Sequence, residues 1–528
     1  MSTIFNFPST TFFVLLIGLL LLFSAIVSFE IFEKNKLSLW LIFLAGLFIC
    51  SFMAMLDPFL NSWDEQFHAL VAKNILLHPL MPTLIEKPIV PYDFVNWTCN
   101  HVWLHKQPLF LWQIALSLKL FGINEFAVRI PSIIMMSIVP LFIYRIGKLS
   151  LNARAGFYGA VLFCSNYFMH EFVSGFPASD HNDLAFVFYI TASLWAWIEY
   201  ESSGNRYWLL LIAFFSGCAV LVKWLVGLLV YLGWGLSILF DKEKRTSFVF
   251  YKNIILCFIF CLLIFVPWQL YILSHFPNES HYEYALNTKH FFNVVELHGG
   301  DAWYYFKNLE TLYGAGDFVP YLVIIALLVL FRKLNNHAFK IGIFANIIFV
   351  YLFFTLAATK MVGFCYIVSP LIFLALACVI ESIFALIKFK LIKNQFIHYP
   401  LILIITLFLV LGNLDLHQIA HKHTMFINPN DNDKRIEKIN DAQFIKSLKE
   451  KIGSDDYVIF NCKPERDISI MFYTNFTAYR TSLTFENYRL LKQKNIKLAV
   501  IDNGKLLDFI KNDVAIIKIK APDKSWEN

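Results

Sequence analysis

Charge is what this chain has least of. Asp, Glu, Lys and Arg make up only 16% of its residues, against about 25% in a soluble domain. A water-soluble globule is thereby excluded. Cysteine is sparse and unpatterned: Cys50, Cys164, Cys218, Cys257, Cys261, Cys365 and Cys378 lie in or at apolar runs, where a thiol behaves as a small hydrophobe. Cys99 and Cys462 alone sit in polar surroundings, where two free thiols are expected over a disulfide, and no spacing suits a metal. There is no glycine-rich phosphate loop and no internal repeat. A net charge of +6 is small for 528 residues and gives no ground for a nucleic-acid partner. The first residues, MSTIFNFPSTTFF, lack the basic region and small-residue cleavage site of a removable signal peptide. Their apolar run is expected to stay as a helix.

What is abundant is apolar length. Hydrophobic residues make up 58% of the chain, 56 of them Phe, and the mean hydropathy is +0.59. Runs of 17 to 22 apolar residues recur over the first four-fifths of the sequence. Each can cross a hydrocarbon core of about 30 Å as a helix. Twelve spans are expected, centred near residues 20, 47, 139, 162, 191, 214, 232, 262, 325, 349, 374 and 405. The phenylalanines are read as lipid-facing and packing bulk.

The short linkers alternate in charge. Lys34 and Lys36 lie in the first, Arg145, Lys148 and Arg154 in the third, and Arg206 in the fifth. Lys242, Lys244, Arg245 and Lys252 lie in the seventh, Arg332, Lys333 and Lys340 in the ninth, and Lys388, Lys390 and Lys393 in the eleventh. Basic residues in short loops mark the cytoplasmic side. Both termini and the long loops 57–130 and 273–317 are then expected outside. The run from 207 to 239 must divide at Lys223 into two spans. Pro108 to Gly122 is too short to cross and contains Lys119, so a helix lying in the interface is expected.

Beyond about residue 414 the composition changes. Helices are expected over Asp441–Ile452, Phe485–Gln493 and Gly504–Lys511, and strands over Tyr457–Phe460, Lys497–Asp502 and Val514–Ile519. Such alternation predicts a small α/β domain with a mostly parallel sheet. The expected architecture is an all-α polytopic membrane domain, residues 1–413, followed by an extracytoplasmic α/β domain, 414–528, with a structural or acceptor-docking role.

The notable polar residues all fall on the outer face of this topology. Asp64-Glu65 follows the second span, and His105-Lys106-Gln107-Pro108 opens the interfacial helix. Asp180, His181 and Asp183 precede the fifth span, and Lys223 stands between the sixth and seventh. His298-Gly299-Gly300 and Trp303-Tyr304-Tyr305 lie in the second long loop, and Lys360 and Tyr366 follow the tenth span. Each has a plainer reading. A lone Lys at a boundary snorkels to headgroups, Tyr and Trp belong to the aromatic belt, and Asp64-Glu65 suits a helix cap with a solvated neighbour. His101 and His181 carry no partner pattern. Three outward Lys with two separated carboxylates nevertheless describe a site that holds a phosphate anion and keeps a carboxylate for proton transfer.

From Asp57 to Leu386 these residues resemble the GT-C glycosyltransferases, in the branch of protein O-mannosyltransferases and the lipid A aminoarabinose transferase (glycosyltransferase families 39 and 83). Asp64-Glu65 is similar to the acidic pair of the first outer loop. His105-Lys106-Gln107-Pro108-Leu109 with Trp112, Phe121-Gly122 and Val128-Arg129 resembles the "K-P-P-L…W…G…R" stretch. Asp183 is similar to the outer-face Asp, Gly217 to Lys223 to "G-x-x-x-L-x-K", and Glu296 to Tyr305 to "GHGG-x-x-WYY". Thr359-Lys360 to Pro370 resembles "K-L-P-x-Y-x-L-P", with Phe364 at the tyrosine position and Tyr366 two residues on. Gln107 replaces the second Pro and Trp224 the Gly after Lys223, and the span over residues 11–29 is additional.

The resemblance implies an enzyme that moves a hexosyl or pentosyl group from a polyprenyl-phosphate donor to an extracytoplasmic acceptor, either a lipid A-like glycolipid, a protein or a glycan. It implies Asp64 and Asp183 as catalytic carboxylates, with Lys106, Lys223 and Lys360 at the donor phosphate and Glu65, His298, Tyr304 and Tyr366 around the substrates. Metal-independent inverting transfer is implied, although paired carboxylates are also a set that holds a divalent cation. The setting expected is a bacterial inner membrane with the site on its periplasmic side. A flippase of lipid-linked saccharides is the alternative, but transporters place polar groups near mid-membrane and show repeats. A surface-polysaccharide polymerase or ligase would share the donor type.

Overall fold

The computed structural model describes residues 6–176, 181–314, 316–392, 394–424, 429–454 and 456–526; Asp180 and Lys393 lie outside them. Each of the twelve expected span centres falls within a helix. Among the described residues, eight helices are long and apolar enough to cross a membrane. The fold is mostly helical, with a small parallel sheet near the C-terminus. It forms two compact units, one of residues 1–56 and 131–420, the other of 57–130 and 421–528.

In the first unit the apolar stretch Tyr207–Leu239 is continuous by composition but reverses, as expected, at Lys223. Helix Tyr207–Lys223 ends at Trp224, whose φ is 63°. A tight turn over Trp224–Leu228 leads into helix Leu229–Leu239. The hydroxyls of Ser216 and Tyr231 then lie 3.1 Å apart, where fifteen residues of straight helix would separate them by about 22 Å. Gly227 permits the reversal, since a Cβ there would meet Val220 N at 2.5 Å. Helices Glu125–Ser150 and Ala153–Cys164 pack through Gly147 and Gly156, where a Cβ on Gly147 would fall 2.4 Å from the Gly156 Cα. Lipid offers no hydrophobic drive between helices, so small residues that let backbones approach favour association.

The basic linkers meet at one end of this bundle. Arg154 donates to both oxygens of Glu30 at 3.0 and 2.6 Å, with the Tyr158 hydroxyl 2.9 Å from the same carboxylate. Arg145 forks onto Glu199 at 2.7 and 2.8 Å, Lys244 reaches Glu201 at 2.6 Å, and Lys333 pairs with Glu381. These pairs tie linkers one to three, three to five, five to seven and nine to eleven. Buried charge is tolerated there because each ion has its partner. Helix Asp183–Ser203 spans about 30 Å, which puts Asp183 at the other end from Glu199.

The second unit holds the sheet, with strands β1 (Tyr457–Phe460), β2 (Thr477–Ala478), β3 (Lys497–Asp502) and β4 (Ile517–Lys520). All pairs are parallel in the order β2-β1-β3-β4. β1 and β3 stand where alternation placed them, as does helix Phe485–Gln493. β4 begins three residues beyond the expected strand, the helix expected from Gly504 covers only Asp508–Asn512, and the one expected at Asp441 starts at Pro429. β2 and helix Arg466–Tyr473 were not legible. Cys99 and Cys462 are both free thiols.

The first outer segment belongs to this unit through specific bonds. Lys73, on helix Asp64–Ile75, donates to the carbonyls of Met471 (2.6 Å), Phe472 (3.0 Å) and Thr474 at the end of helix Arg466–Tyr473. A cation is favourable at a helix C-terminus, where carbonyls lack intrahelical partners. The Tyr479 hydroxyl accepts the Ile89 N–H at 2.8 Å, and Arg480 joins Asp467 at 3.0 Å to the Thr98 carbonyl at 3.0 Å. Helix Pro108–Phe121, opened by Pro108 at its first position, is the short apolar helix expected in the interface.

Candidate functional site

Asp64 opens helix Asp64–Ile75, where the unpaired N–H groups favour a carboxylate. Its side chain is 21% exposed and lies 3.7 Å from the Lys106 ammonium, itself 16% exposed. The residues that adjoin this pair in the chain belong to an aromatic layer. The Trp97 and His105 rings stack at 4.4 Å and 4°, Trp63 lies 5.7 Å from Trp97, and Phe67 meets Trp97 edge-on at 5.0 Å. Buried Trp103 fixes the layer from behind, donating its indole N–H to the Trp97 carbonyl at 3.0 Å. Trp63 has φ 65° and ψ −121°, a conformation that costs a bulky residue of order 1–3 kcal/mol.

Glu65 points the other way. Its side chain has no exposed surface and pairs with Arg129, equally enclosed, at 2.7 and 3.0 Å. It also accepts the Asn61 N–H at 2.6 Å. Arg129 spends its remaining donors on the carbonyls of Asp57 and Phe59, both at 2.8 Å. Asp57 continues the network, accepting from Asn61 Nδ2 at 2.9 Å and contacting His423 Nδ1 at 3.0 Å and Arg435. Burial alone would push the Asp57 carboxyl up, but His423, Arg435 and Arg129 outweigh it and hold it well below the usual carboxylate range.

A depressed folded pKa means that the unfolded chain binds protons more readily, so stability falls with acid. The Asp57 contribution should be whole above about pH 4, the unfolded carboxyl value, and drain at about 1.4 kcal/mol per unit below it. Asp57→Asn should therefore melt lower at pH 7 and show a flatter acid limb between about pH 4 and 2. Melting temperatures against pH, wild type beside variant, check this.

In the other unit Asp183 begins helix Asp183–Ser203 and Lys223 ends helix Tyr207–Lys223. Their side chains form an ion pair, the carboxylate buried and the ammonium 20% exposed. Asn182 ties the same two helix ends by donating to the Val222 carbonyl at 3.2 Å. The Lys223 ammonium sits 4.6 Å from the centre of the Phe364 ring, a cation–π contact. This phenylalanine holds the position at which the resemblance expects tyrosine.

Lys360 is nearly buried. Its segment lies along the end of helix Pro277–Phe292 and the loop that follows: the Lys360 N–H donates to the His298 carbonyl at 2.8 Å, Thr359 N–H to the His290 carbonyl at 3.0 Å, and Ala358 N–H to the Phe291 carbonyl at 2.9 Å. Tyr304 is half-buried in the short helix Tyr304–Lys307, and its neighbour Tyr305 is buried 6.5 Å from Phe354, which in turn packs 5.0 Å from Phe364. Tyr366 stands apart, fully buried among Phe163, Phe168 and Phe172, and donates to Asn166 Oδ1 at 2.7 Å.

The expected residues thus meet as separate pairs, Asp64 with Lys106 in one unit, and in the other Asp183 with Lys223 and the Lys360 N–H with the His298 carbonyl. Arg129 was visible as one letter of a motif, without its role. The Asp57 network and the Trp63–Trp97–His105 layer had no signal at all, because their members are far apart in sequence. Among the described residues, no three His, Cys, Asp or Glu side chains are arranged to hold a metal ion. Asp64 and Glu65 instead face two different cations.

Residues 105–271 match the family described as dolichyl-phosphate-mannose-protein mannosyltransferase. A comparison with curated protein sequences finds no match. Among solved structures, ArnT from Cupriavidus metallidurans bound to undecaprenyl phosphate superposes with a TM-score of 0.58 at 13% identity, over 86% of this chain and 88% of that one. Its apo form gives 0.59 with the same identity and coverage. The archaeal oligosaccharyltransferase AglB from Archaeoglobus fulgidus, in complex with an inhibitory peptide and a dolichol-phosphate, gives 0.54 at 10% identity, over 89% and 70%. The fold is that of ArnT and AglB, in agreement with the resemblance carried by the sequence motifs.

Proposed function

We propose that this protein is a membrane glycosyltransferase that moves a sugar from a polyprenyl-phosphate donor to an acceptor hydroxyl outside the cytoplasm. The observation that carries the reading is the Asp183–Lys223 pair, held at the end of the bundle away from the basic linkers. It lies within the segment that matches a lipid-phosphate-sugar transferase family. Further support comes from fold relatives solved with undecaprenyl phosphate and dolichol-phosphate. Polar groups gathered at helix ends suit transfer better than translocation, which needs them near the membrane midplane.

In this mechanism the acceptor oxygen attacks the anomeric carbon as the bond from that carbon to the phosphate oxygen breaks. By the resemblance Asp64 takes the acceptor proton, and polyprenyl phosphate leaves with the electron pair. Ammonium groups of Lys223 and Lys360, and by the resemblance Lys106, stabilise the charge that grows on the phosphate. Asp183 orients Lys223, Phe364 flanks its ammonium, and the His298 carbonyl holds the Lys360 backbone in place. The Glu65–Arg129 pair positions the helix that presents Asp64. The active side and the α/β domain are assigned to the extracytoplasmic face, periplasmic in a bacterial inner membrane, by the positive linkers.

The test is purified protein in sealed proteoliposomes with radiolabelled polyprenyl-phosphate sugar and candidate acceptors. Label should move to acceptor, with free polyprenyl phosphate formed in equal amount. Translocation of intact donor without bond cleavage would reject the reading. In the same assay Lys223→Met keeps the apolar stem and loses the charge. It should raise the donor KM where ground-state binding is lost and lower kcat where the contact strengthens in the transition state, by about 10- to 100-fold in kcat/KM. Lys360→Met should act in the same direction. Unchanged kinetics in both variants would remove them from the phosphate.

A further inference from the structure

The aromatic layer beside Asp64 is not used by the proton transfer or by the phosphate. Its position is dictated by chain neighbours: Trp63 immediately precedes Asp64, and His105 immediately precedes Lys106. Trp97 bridges the two, 5.7 Å from Trp63 and stacked at 4.4 Å on His105. The aromatic rings and the Asp64–Lys106 pair, whose charges stand 3.7 Å apart, are thus joined through the Trp63–Asp64 and His105–Lys106 peptide bonds. Trp63 is 42% exposed although its backbone holds φ 65°. Glycine adopts such a φ without strain, whereas a bulky residue keeps it only where the surroundings over-determine it, commonly at ligand clamps.

We propose that Trp63 and Trp97, with His105 behind, form an acceptor subsite, and that the acceptor is a saccharide-bearing molecule, a glycolipid or glycan. The inference rests on the reading of Asp64 as the group that takes the acceptor proton. A pyranose ring has a flat face of C–H groups and a rim of hydroxyls. The negative face of an indole attracts such C–H groups, and a carboxylate at its border accepts a rim hydroxyl. A ring lying on Trp63 and Trp97 would thus hand one hydroxyl to Asp64. A polypeptide acceptor would call instead for main-chain hydrogen-bonding partners along an extended groove, which a stacked aromatic face does not supply.

The experiment uses full-length protein in nanodiscs with radiolabelled polyprenyl-phosphate sugar. One arm offers a glycolipid with a glucosamine disaccharide head, the other a peptide rich in Ser and Thr. Binding is read separately, by saturation-transfer NMR with methyl glucosaminide. The expected result is transfer to the glycolipid, an acceptor KM raised about tenfold by Trp63→Ala or Trp97→Ala, and an unchanged donor KM. Trp63→Phe should restore most of the loss. Trp63→Gly, which removes the ring and relieves the backbone, should keep the melting temperature within about 3 °C while losing the saccharide NMR signal. Transfer to peptide alone, or an acceptor KM indifferent to both tryptophans, would overturn the subsite and leave glycosyl transfer standing. A saccharide signal that needs Trp63 but no transfer to either acceptor would keep the subsite and reject glycosyl transfer. Absence of both in the wild type overturns both.

Discussion

Asp64→Asn should fold and bind donor as the wild type does, yet lose transfer by about 10²- to 10⁴-fold, the range for removing a general base. The amide matches the carboxylate in shape and keeps its place at the first position of helix Asp64–Ile75. Its helix-dipole contribution is only about 0.3–1 kcal/mol, so stability should scarcely move. The side chain is partly exposed beside Lys106, open to a substrate hydroxyl. Single-turnover transfer with prebound donor isolates the step, and near-wild-type rates in the Asn variant would take Asp64 out of it.

The carboxylate one residue along should behave in the opposite way. Arg129→Leu leaves Glu65 charged and enclosed with its main partner gone, and truncating one side of a buried pair costs about 3–5 kcal/mol. Here the cost falls at the high end, because Arg129 also satisfies the carbonyls of Asp57 and Phe59, which would be left without donors. Denaturant or thermal melting should show the loss whether or not donor is present. Glu65→Gln, which keeps the shape and some of the hydrogen bonds, should lose less. A melting temperature unaltered in Arg129→Leu would show that Glu65 and Arg129 do not brace the helix that carries Asp64.

Neighbours in sequence thus have unlike tasks for a geometric reason. Successive residues on a helix point about 100° apart, so Asp64 and Glu65 cannot face the same partner. An acidic pair is easily read as one functional unit; the helix divides it into a partly exposed acid and a buried brace. Tyr366 is a similar case. Its motif placed it near the substrates, while the turn that carries it directs the phenol inward to Asn166 and presents Phe364 to Lys223.

The membrane class, the helical character of the twelve span centres, the reversal at Lys223, the gathering of basic linkers at one end and the parallel sheet near the C-terminus are legible in the chain before it folds. These follow from local quantities, namely apolar run length, charge in short loops and residue periodicity, each set within a few tens of residues. That residues 57–130 and 421–528 build one unit, through Lys73, Tyr479 and Arg480, emerges from the fold. So do the pairing of Arg129 with Glu65 and Asp57 and the joining of Trp63, Trp97 and His105 in one face. Those bonds join residues tens to hundreds of positions apart, and a single hydrogen bond or ring contact leaves no periodic trace in a chain. Hydrophobic burial is written along the sequence; the partner of a particular charge is chosen only when the chain has closed around it.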